Sequence, residues 1–498
     1  MAGNFRIRQT RRQFIGTSGT AALGLALAPN LLFSGEPAVA APLTRTLGKT
    51  GFKVTTLGLG GQASLQWTPE GTDPVAIILK AYNLGVNYFD TSNYYGPSQL
   101  NYGKAFRQLG LVPGQPNYDE AKRKAIFLTS KTHLRFAKGG ERLKDVYGGT
   151  DGPKGSKTLD DVYRSLSQIF GDGNGGYPEG AYLDMVLLHN ISQMGEVEAV
   201  YDCYDDPYPD CAKIGALAAL RDVRDGTNLT GLNPKKEKLI RHIGFSGHHD
   251  PNVMMEMIQR DWQNLMDCML VAINANDKLF TNMQYNVIPV AAAKNMGIIA
   301  MKVFADGAMY TKKAEWSNSP KHVVLNVGSP ELPANELIRY SLSIPGVHTA
   351  IIGIGQISDD PLQCQLTQNL LGAQVKPMSM NEADKQKIEE LALKVKEGKT
   401  NYFQKAYQEL TAPREPIAIV GDDQGIITWQ SALAGDAAID HYEIWRDDKL
   451  VGKVPYEPQT SKSPNLFMDK LNKAVPQKYV IKAVDTKKRE AATEPIPV

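Results

Sequence analysis

Cysteine is scarce in this chain, with four in 498 residues. None of Cys203, Cys211, Cys268 and Cys364 has the Cys-x-x-Cys spacing or the nearby histidine of a metal site. No metal ligand set is therefore expected. An excess of one charge is missing too: a formal net charge of +2 gives no electrostatic case for nucleic acid or an anionic membrane surface. Long apolar runs are lacking apart from residues 19–32, where glycine and alanine soften a short stretch. What remains is 42% hydrophobic and 22% charged, the balance of an ordinary globular protein. Its length suggests two or three segments.

Residues 1–41 differ from the rest. Arg11-Arg12-Gln13-Phe14-Ile15 precede the apolar run, and Ala38-Val39-Ala40 form a small-x-small processing site. This stretch resembles a twin-arginine signal. The resemblance implies cleavage near Ala40 or Ala41, the twin-arginine translocase as a transient partner, and a periplasmic address for an already folded protein. An uncleaved membrane anchor is the rival reading. In an oxidising compartment, Cys203 and Cys211 could close a small disulfide loop around the acidic, proline-containing segment between them, with free thiols as the alternative.

Beyond the signal, continuous apolar runs alternate with helical patterns. Strands are expected over 54–59, 86–90, 126–131, 185–189, 242–246, 269–274, 298–303 and 349–354. Helices are expected over 74–84, 160–170, 212–223, 253–260, 287–295 and 334–343. Strands covered on both faces read as unbroken apolar runs, and eight of them with helical crossovers argue for a parallel (β/α)8 TIM barrel. Region 42–412 exceeds the ~250 residues typical of that fold. The surplus includes 134–158 and 191–211, after the third and fourth strands and so on the catalytic face. A boundary falls at Ala412-Pro413. From there to residue 498, short alternating strands over 417–420, 426–429, 441–446, 451–455 and 478–484 read as a small all-β sandwich. Trp429 and the phrases around Tyr442 and Tyr479 resemble a fibronectin type III, immunoglobulin-like module, whose default role is packing or binding a protein or polymer partner.

The chemistry gathers at strand ends. Asp90 closes the second expected strand and Tyr95 follows it; Lys131 closes the third and His189 the fourth. Barrel enzymes assemble their sites from the C-terminal ends of different strands. A lysine closing an apolar strand needs a partner, because burying an isolated ammonium is costly, and Asp90 next door is its natural counter-ion. Tyr94 and Tyr102, in the same stretch, read as packing residues.

FDTSNYYG, FLTSK, SLSQIF with LDMVLLH, IGFSGH and GIIAMKVFADG resemble, in this order, the aldo-keto reductase family, and the resemblance runs through most of residues 43–372. It implies Tyr95 as general acid/base toward a carbonyl oxygen, Lys131 favouring its anion, Asp90 holding Lys131, and His189 orienting the substrate. It further implies NADPH or NADH in contact with Ser246, Met301, Lys302, Gly355, Gln356 and Asn369, and export in a folded state suggests that this cofactor is tightly bound. A small carbonyl substrate is implied, with reduction or the reverse alcohol oxidation as the reaction; a sugar-like substrate is expected from the periplasmic address alone. After Ser246 come Gly247 and His248, where the family often has asparagine; Met301 stands where many members have an aromatic. No arginine or lysine occurs in 355–360 to clamp a 2′-phosphate.

Two features compete with this reading. Gly58-Leu59-Gly60-Gly61-Gln62-Ala63 fits the G-x-G-x-x-A of an exported dinucleotide-fold (Rossmann) oxidoreductase, although Trp67, Pro69 and Gly71 interrupt where its helix should start. His248-His249 suggests a metal pair, but adjacent residues point apart, so solvent exposure or substrate contact is expected. A barrel without turnover, acting as a periplasmic binding or scaffold protein, is the remaining alternative.

Overall fold

The computed structural model describes residues 41–140, 150, 152–421, 423–471 and 478–498. The export signal expected over 1–41 therefore lies almost wholly outside the described residues, as do parts of the 134–158 insertion. A closed barrel is formed by β1 (Leu57–Leu59), β2 (Tyr88–Asp90), β3 (Phe127–Thr132), β4 (Leu183–Leu188), β5 (Ile240–Gly247), β6 (Met266–Ala272), β7 (Gly297–Met301) and β8 (Val347–Ile352). Every neighbouring pair is parallel and follows chain order. Such sheets have both faces covered, which is why these strands are buried almost throughout. Tyr88, Phe127, Met185, Leu187, Leu270 and Ile299 fill the barrel, and a larger cluster lies between its strands and the outer helices.

Three expectations need correction. Residues 54–59 are not one strand: Lys53–Thr55 pairs antiparallel with Thr44–Thr46, and only Leu57–Leu59 joins the barrel. That hairpin delivers Leu47 and Val54 to the barrel interior, closing the end opposite the site. The helix expected from 212 begins at Ala216, because Ile214–Gly215 pairs with Phe136–Lys138 and so ties the first insertion to the chain just past the second. Helix Ser98–Leu109 has no counterpart in the sequence pattern; it buries Ser98, Gln99 and Asn101 beside Tyr102 and Phe106, so its inward stripe is half polar. The dinucleotide-fold alternative is excluded by closure of the barrel. Gly61 instead lets the chain leaving β1 pass close to β2, since a Cβ there would lie 2.7 Å from Thr91 Cα.

The C-terminal region is all-β. One antiparallel sheet holds Arg414–Val420, Gln424–Gln430 and Asn465–Lys470; the other is built from Ile439–Arg446, Lys449–Pro455, Lys478–Asp485, Glu490–Ala492 and Ile496–Pro497. The strand Asn465–Lys470 escapes the sequence pattern because Leu466 and Met468 face solvent while Asp469 is buried. Trp429, Tyr442 and Tyr479 form the core between the sheets. Asn286 exchanges hydrogen bonds with Ala434 (2.9 and 3.1 Å), and Lys462 pairs with Glu256 at 2.7 Å, joining this region to the barrel. No helix among the described residues is long and apolar enough to cross a membrane.

Candidate active site

The loop leaving β2 is built by short polar contacts. Tyr95 N–H donates to Ser92 O at 3.0 Å, Thr91 and Ser98 hydroxyls meet at 2.9 Å, and Asn93 Nδ2 donates to Asp161 Oδ1 at 2.5 Å. Thr132 at the end of β3 donates to the other Asp161 oxygen at 2.7 Å. Burial lifts the Asp161 carboxyl to about 6 against these donors. One buried acid thus fixes both the Tyr95 loop and the strand end that carries Lys131.

Asp90, Tyr95, Lys131 and His189 converge on one end of the barrel. Lys131 Nζ forms a buried ion pair with Asp90 Oδ1 and also donates to Thr91 O at 2.9 Å. Its ammonium lies 4.7 Å from the centroid of the Tyr95 ring. Tyr95 Oη is 3.3 Å from His189 Nε2. Burial raises the Asp90 carboxyl and lowers the Lys131 ammonium, each opposed by attraction to the other. Burial, then the nearby His133 and Lys131, push His189 well below the usual imidazole range, so it is neutral.

Two cavities meet here. The larger, about 160 Å³, is lined by Gly60, Gly61, Asp90, Tyr95, Met301 and Lys302, and by the long segment after β7. The smaller, about 60 Å³, lies among Trp67, Tyr94, His133, His189, His248 and Trp316. Tyr95, Met301 and Lys302 border both. Asn369 lines the larger one, whereas Ser246, Gly355 and Gln356 do not. Ser246 Oγ instead accepts from Asn190 N–H at 2.9 Å. The amides of Gly355 and Gln356 donate to Gln365 Oε1 at 2.6 and 3.2 Å, and a side chain on Gly355 would collide with Val324 O. Gln365 Nε2 also donates to Val324 O and Asn326 O (2.9 and 2.8 Å), fastening the segment after β7 across the cavity.

Several site residues have weak or no local signals in the sequence. Trp316 packs edge-on or tilted against His248, Tyr402 and Phe403, the last two arriving from beyond the barrel's final helices. Asn401 reaches Asn274 at 3.0 Å across 127 residues of chain. His248 is buried rather than solvent-exposed, and burial with Lys302 and His249 pushes it down to about 3. Tyr94 borders the smaller cavity instead of packing in the core, while Tyr102 is buried and donates to backbone carbonyls. His133 does have a signal: it follows Lys131 by two, so both side chains leave the same face of the chain.

The cavity's chemistry bears on a dinucleotide. Lys302 and Lys312 flank Asp306, the closer contact being Lys312 at 3.1 Å. Burial raises the Asp306 carboxyl, but the two ammoniums outweigh it and hold it below its usual range. Of these groups Lys302 and Asp306 line the larger cavity, and Lys312 stands behind them against Asp306. Tyr310 Oη and His322 Nδ1 line the same cavity as buried polar atoms without a hydrogen-bond partner among the described residues. A lining ammonium on Lys302 together with unused polar atoms on Tyr310 and His322 fits a hydrogen-bonding, anionic group such as a nicotinamide dinucleotide. Lys80, absent from the 355–360 segment, nevertheless meets it, donating to Ser358 O at 2.7 Å.

The model of the aldo/keto reductase family matches residues 56–357, more than half of the sequence. The chain belongs to the aldo/keto reductase family. It is 41% identical to L-galactose dehydrogenase of Arabidopsis thaliana over 69 residues, which are 13% of this chain and 22% of that protein. With pyridoxal 4-dehydrogenase of Microbacterium luteolum it shares 21% identity over 297 residues, 56% of this chain and 77% of the other. Among solved structures, an aldo/keto reductase from Klebsiella pneumoniae crystallised with NADP and acetate has 17% identity and a TM-score of 0.42, covering 70% of this chain and 95% of its own.

Within the described chain, Cys203 and Cys211 are joined in a disulfide, and Cys268 and Cys364 are buried thiols. No cluster of three or more histidine, cysteine or acidic side chains suited to a metal occurs among the described residues.

Proposed function

We propose that this protein is a nicotinamide-dependent oxidoreductase that reduces an aldehyde or ketone, or runs the reverse oxidation of an alcohol. The observation that carries the reading is Tyr95 Oη beside His189 Nε2, with its ring over the Lys131–Asp90 ion pair, where two cavities meet. NADPH or NADH would lie in the larger cavity, with Lys302, Tyr310, His322 and Asn369 as its contacts, and would supply or accept the hydride.

The chain's own residues do the rest. Tyr95 gives its phenolic proton to the substrate oxygen as negative charge develops there, and takes it back in the oxidative direction. Lys131 stabilises the phenolate between those events, because an ammonium close to an oxyanion lowers its energy in a water-poor site. Asp90 keeps that ammonium charged and in place. His189 supplies a second hydrogen bond from the pocket wall. Trp67, Tyr94 and Trp316 give the smaller cavity apolar faces suited to a small carbonyl or sugar-like substrate.

Arg11-Arg12 and the processing site after them support export by the twin-arginine route and a periplasmic address. Free nicotinamide cofactor is scarce there, so the cofactor is proposed to travel tightly bound and to be recycled within the site. The Gln365 clamp on the segment across the cavity supports retention. The C-terminal sheets are proposed as a fibronectin type III-like module, offering a surface to a protein or polymer partner. Native mass spectrometry of the exported protein tests the reading: bound NAD or NADP supports it. A cofactor-free protein that also fails to bind added NADPH or NADH overturns it.

A further inference from the structure

His133 lies outside the group of four at the strand ends, yet it touches it directly. Its Nε2 is hydrogen-bonded to His189 Nδ1, and the two ring centroids are 3.9 Å apart. The opposite edge of His189 presents Nε2 to Tyr95 Oη at 3.3 Å. Tyr94 packs against His133 with 4.9 Å between ring centroids. Arg135 holds both backbones: it donates to His133 O at 2.9 Å and to His189 O at 2.7 Å, and is itself anchored by the buried Glu196. The two rings are thus fixed at their Cα atoms as well as by contact.

A neutral imidazole has one N–H and one acceptor nitrogen, and whatever bonds to one nitrogen decides the other. Burial, then His133, Lys131, His248 and Arg135, disfavour a second proton on His189. Two arrangements are therefore open. If His189 donated from Nδ1 to His133, its Nε2 would be an acceptor and would draw the Tyr95 proton away from the pocket. If His133 donates from Nε2, His189 must carry its proton on Nε2, aimed at Tyr95 Oη and at any oxygen held beside it. Only the second leaves both Tyr95 and His189 as donors toward a substrate oxygen.

We propose that His133 is a positioning residue that locks His189 in the Nε2–H tautomer through the His133 Nε2–H to His189 Nδ1 hydrogen bond. The inference rests on the reading of this site as one that protonates a substrate oxygen. Its readout is independent of turnover.

The test is nitrogen-15 NMR of the full-length protein labelled at its eight histidines, with the His189 signals assigned by their loss in His189→Gln. Wild type is expected to show an acceptor-type Nδ1 and a protonated Nε2 for His189. His133→Phe keeps a flat ring but offers no donor, so the two tautomers should mix. The turnover number should then fall about 10- to 100-fold, the scale of one misdirected proton donor, with KM for the nicotinamide unchanged. His133→Gln returns an N–H donor and should restore the tautomer and most of the rate. Protonation of His189 at Nδ1 in wild type, or an unchanged tautomer in folded His133→Phe, would overturn the proposal. If the tautomer shifts as expected while Tyr95→Phe retains full turnover, the positioning stands and the proton-delivery reading fails.

Discussion

Replacing Lys131 with methionine removes an ammonium that serves two separate purposes, and the structure gives each a size. Asp90 is 2% exposed, and its second oxygen has no hydrogen-bond partner among the described residues. Breaking a buried pair by deleting one partner costs about 3–5 kcal/mol, because the remaining charge is left uncompensated. Lys131→Met should therefore unfold at markedly lower urea, whereas Lys131→Met with Asp90→Asn removes both charges and should recover most of that loss. Turnover should not follow stability. At the 4.7 Å separation from the Tyr95 ring, an ammonium attracts a phenolate by roughly 3.5 kcal/mol at an effective dielectric near 20, or about 400-fold in rate. The double variant should thus be stable yet slow in alcohol oxidation, measured as reduced nicotinamide formed per active site. Equal urea midpoints for the single and double variants would refute the buried-charge argument. Wild-type oxidation by the stable double variant would refute the role of the ammonium.

Further outcomes follow from other parts of the molecule. Cys203→Ser with Cys211→Ser opens a loop of sequence separation 8, which should cost about 2.5 kcal/mol by loop-closure entropy, read as a lower thermal midpoint that reductant no longer changes. Arg135→Met leaves Glu196 buried without its guanidinium and should cost about 3–5 kcal/mol; a loss below ~1 kcal/mol in denaturant titration would contradict the buried pairing. Stability against pH depends on groups of opposite sign. His248 titrates near 3 and His348 near 4 when folded, so each binds its proton more readily unfolded and weakens the fold as pH falls below about 6.5. Asp277, raised by burial to about 6, is protonated in the folded state first and offsets that loss as pH falls from 6 toward 3.8. Asp277→Asn should therefore make stability fall more steeply over that window, by up to about 1.4 kcal/mol per pH unit. An unchanged slope would show that Asp277 is not carrying the proton.

The barrel strands were legible because most are short, largely apolar runs, and Asp90, Lys131 and His189 lie at or beside the ends of three of them. The first strand was misjudged where Val54 and Leu57, both apolar, belong to a hairpin and to the barrel respectively; a run of similar residues does not record a change of partner. Ser98–Leu109 was illegible because Gln99 and Asn101 are buried by hydrogen bonds that its own sequence cannot announce. The substrate side was least accessible. Trp316, Tyr402 and Phe403 reach the site from segments remote in sequence, and their role depends on how loops cross the barrel mouth. Gly355 and Gln356 illustrate the converse: the motif is present, but Gln365 accepts from both amides and Val324 O fills the space beside Gly355.

The central claim is that Tyr95 delivers the proton to the substrate oxygen. Its most direct measurement compares wild type with Tyr95→Phe under saturating reduced nicotinamide and a panel of aldehydes and ketones. The account predicts a loss of about 10²-fold or more in the turnover number, with nicotinamide binding retained. Turnover by Tyr95→Phe equal to wild type would contradict it.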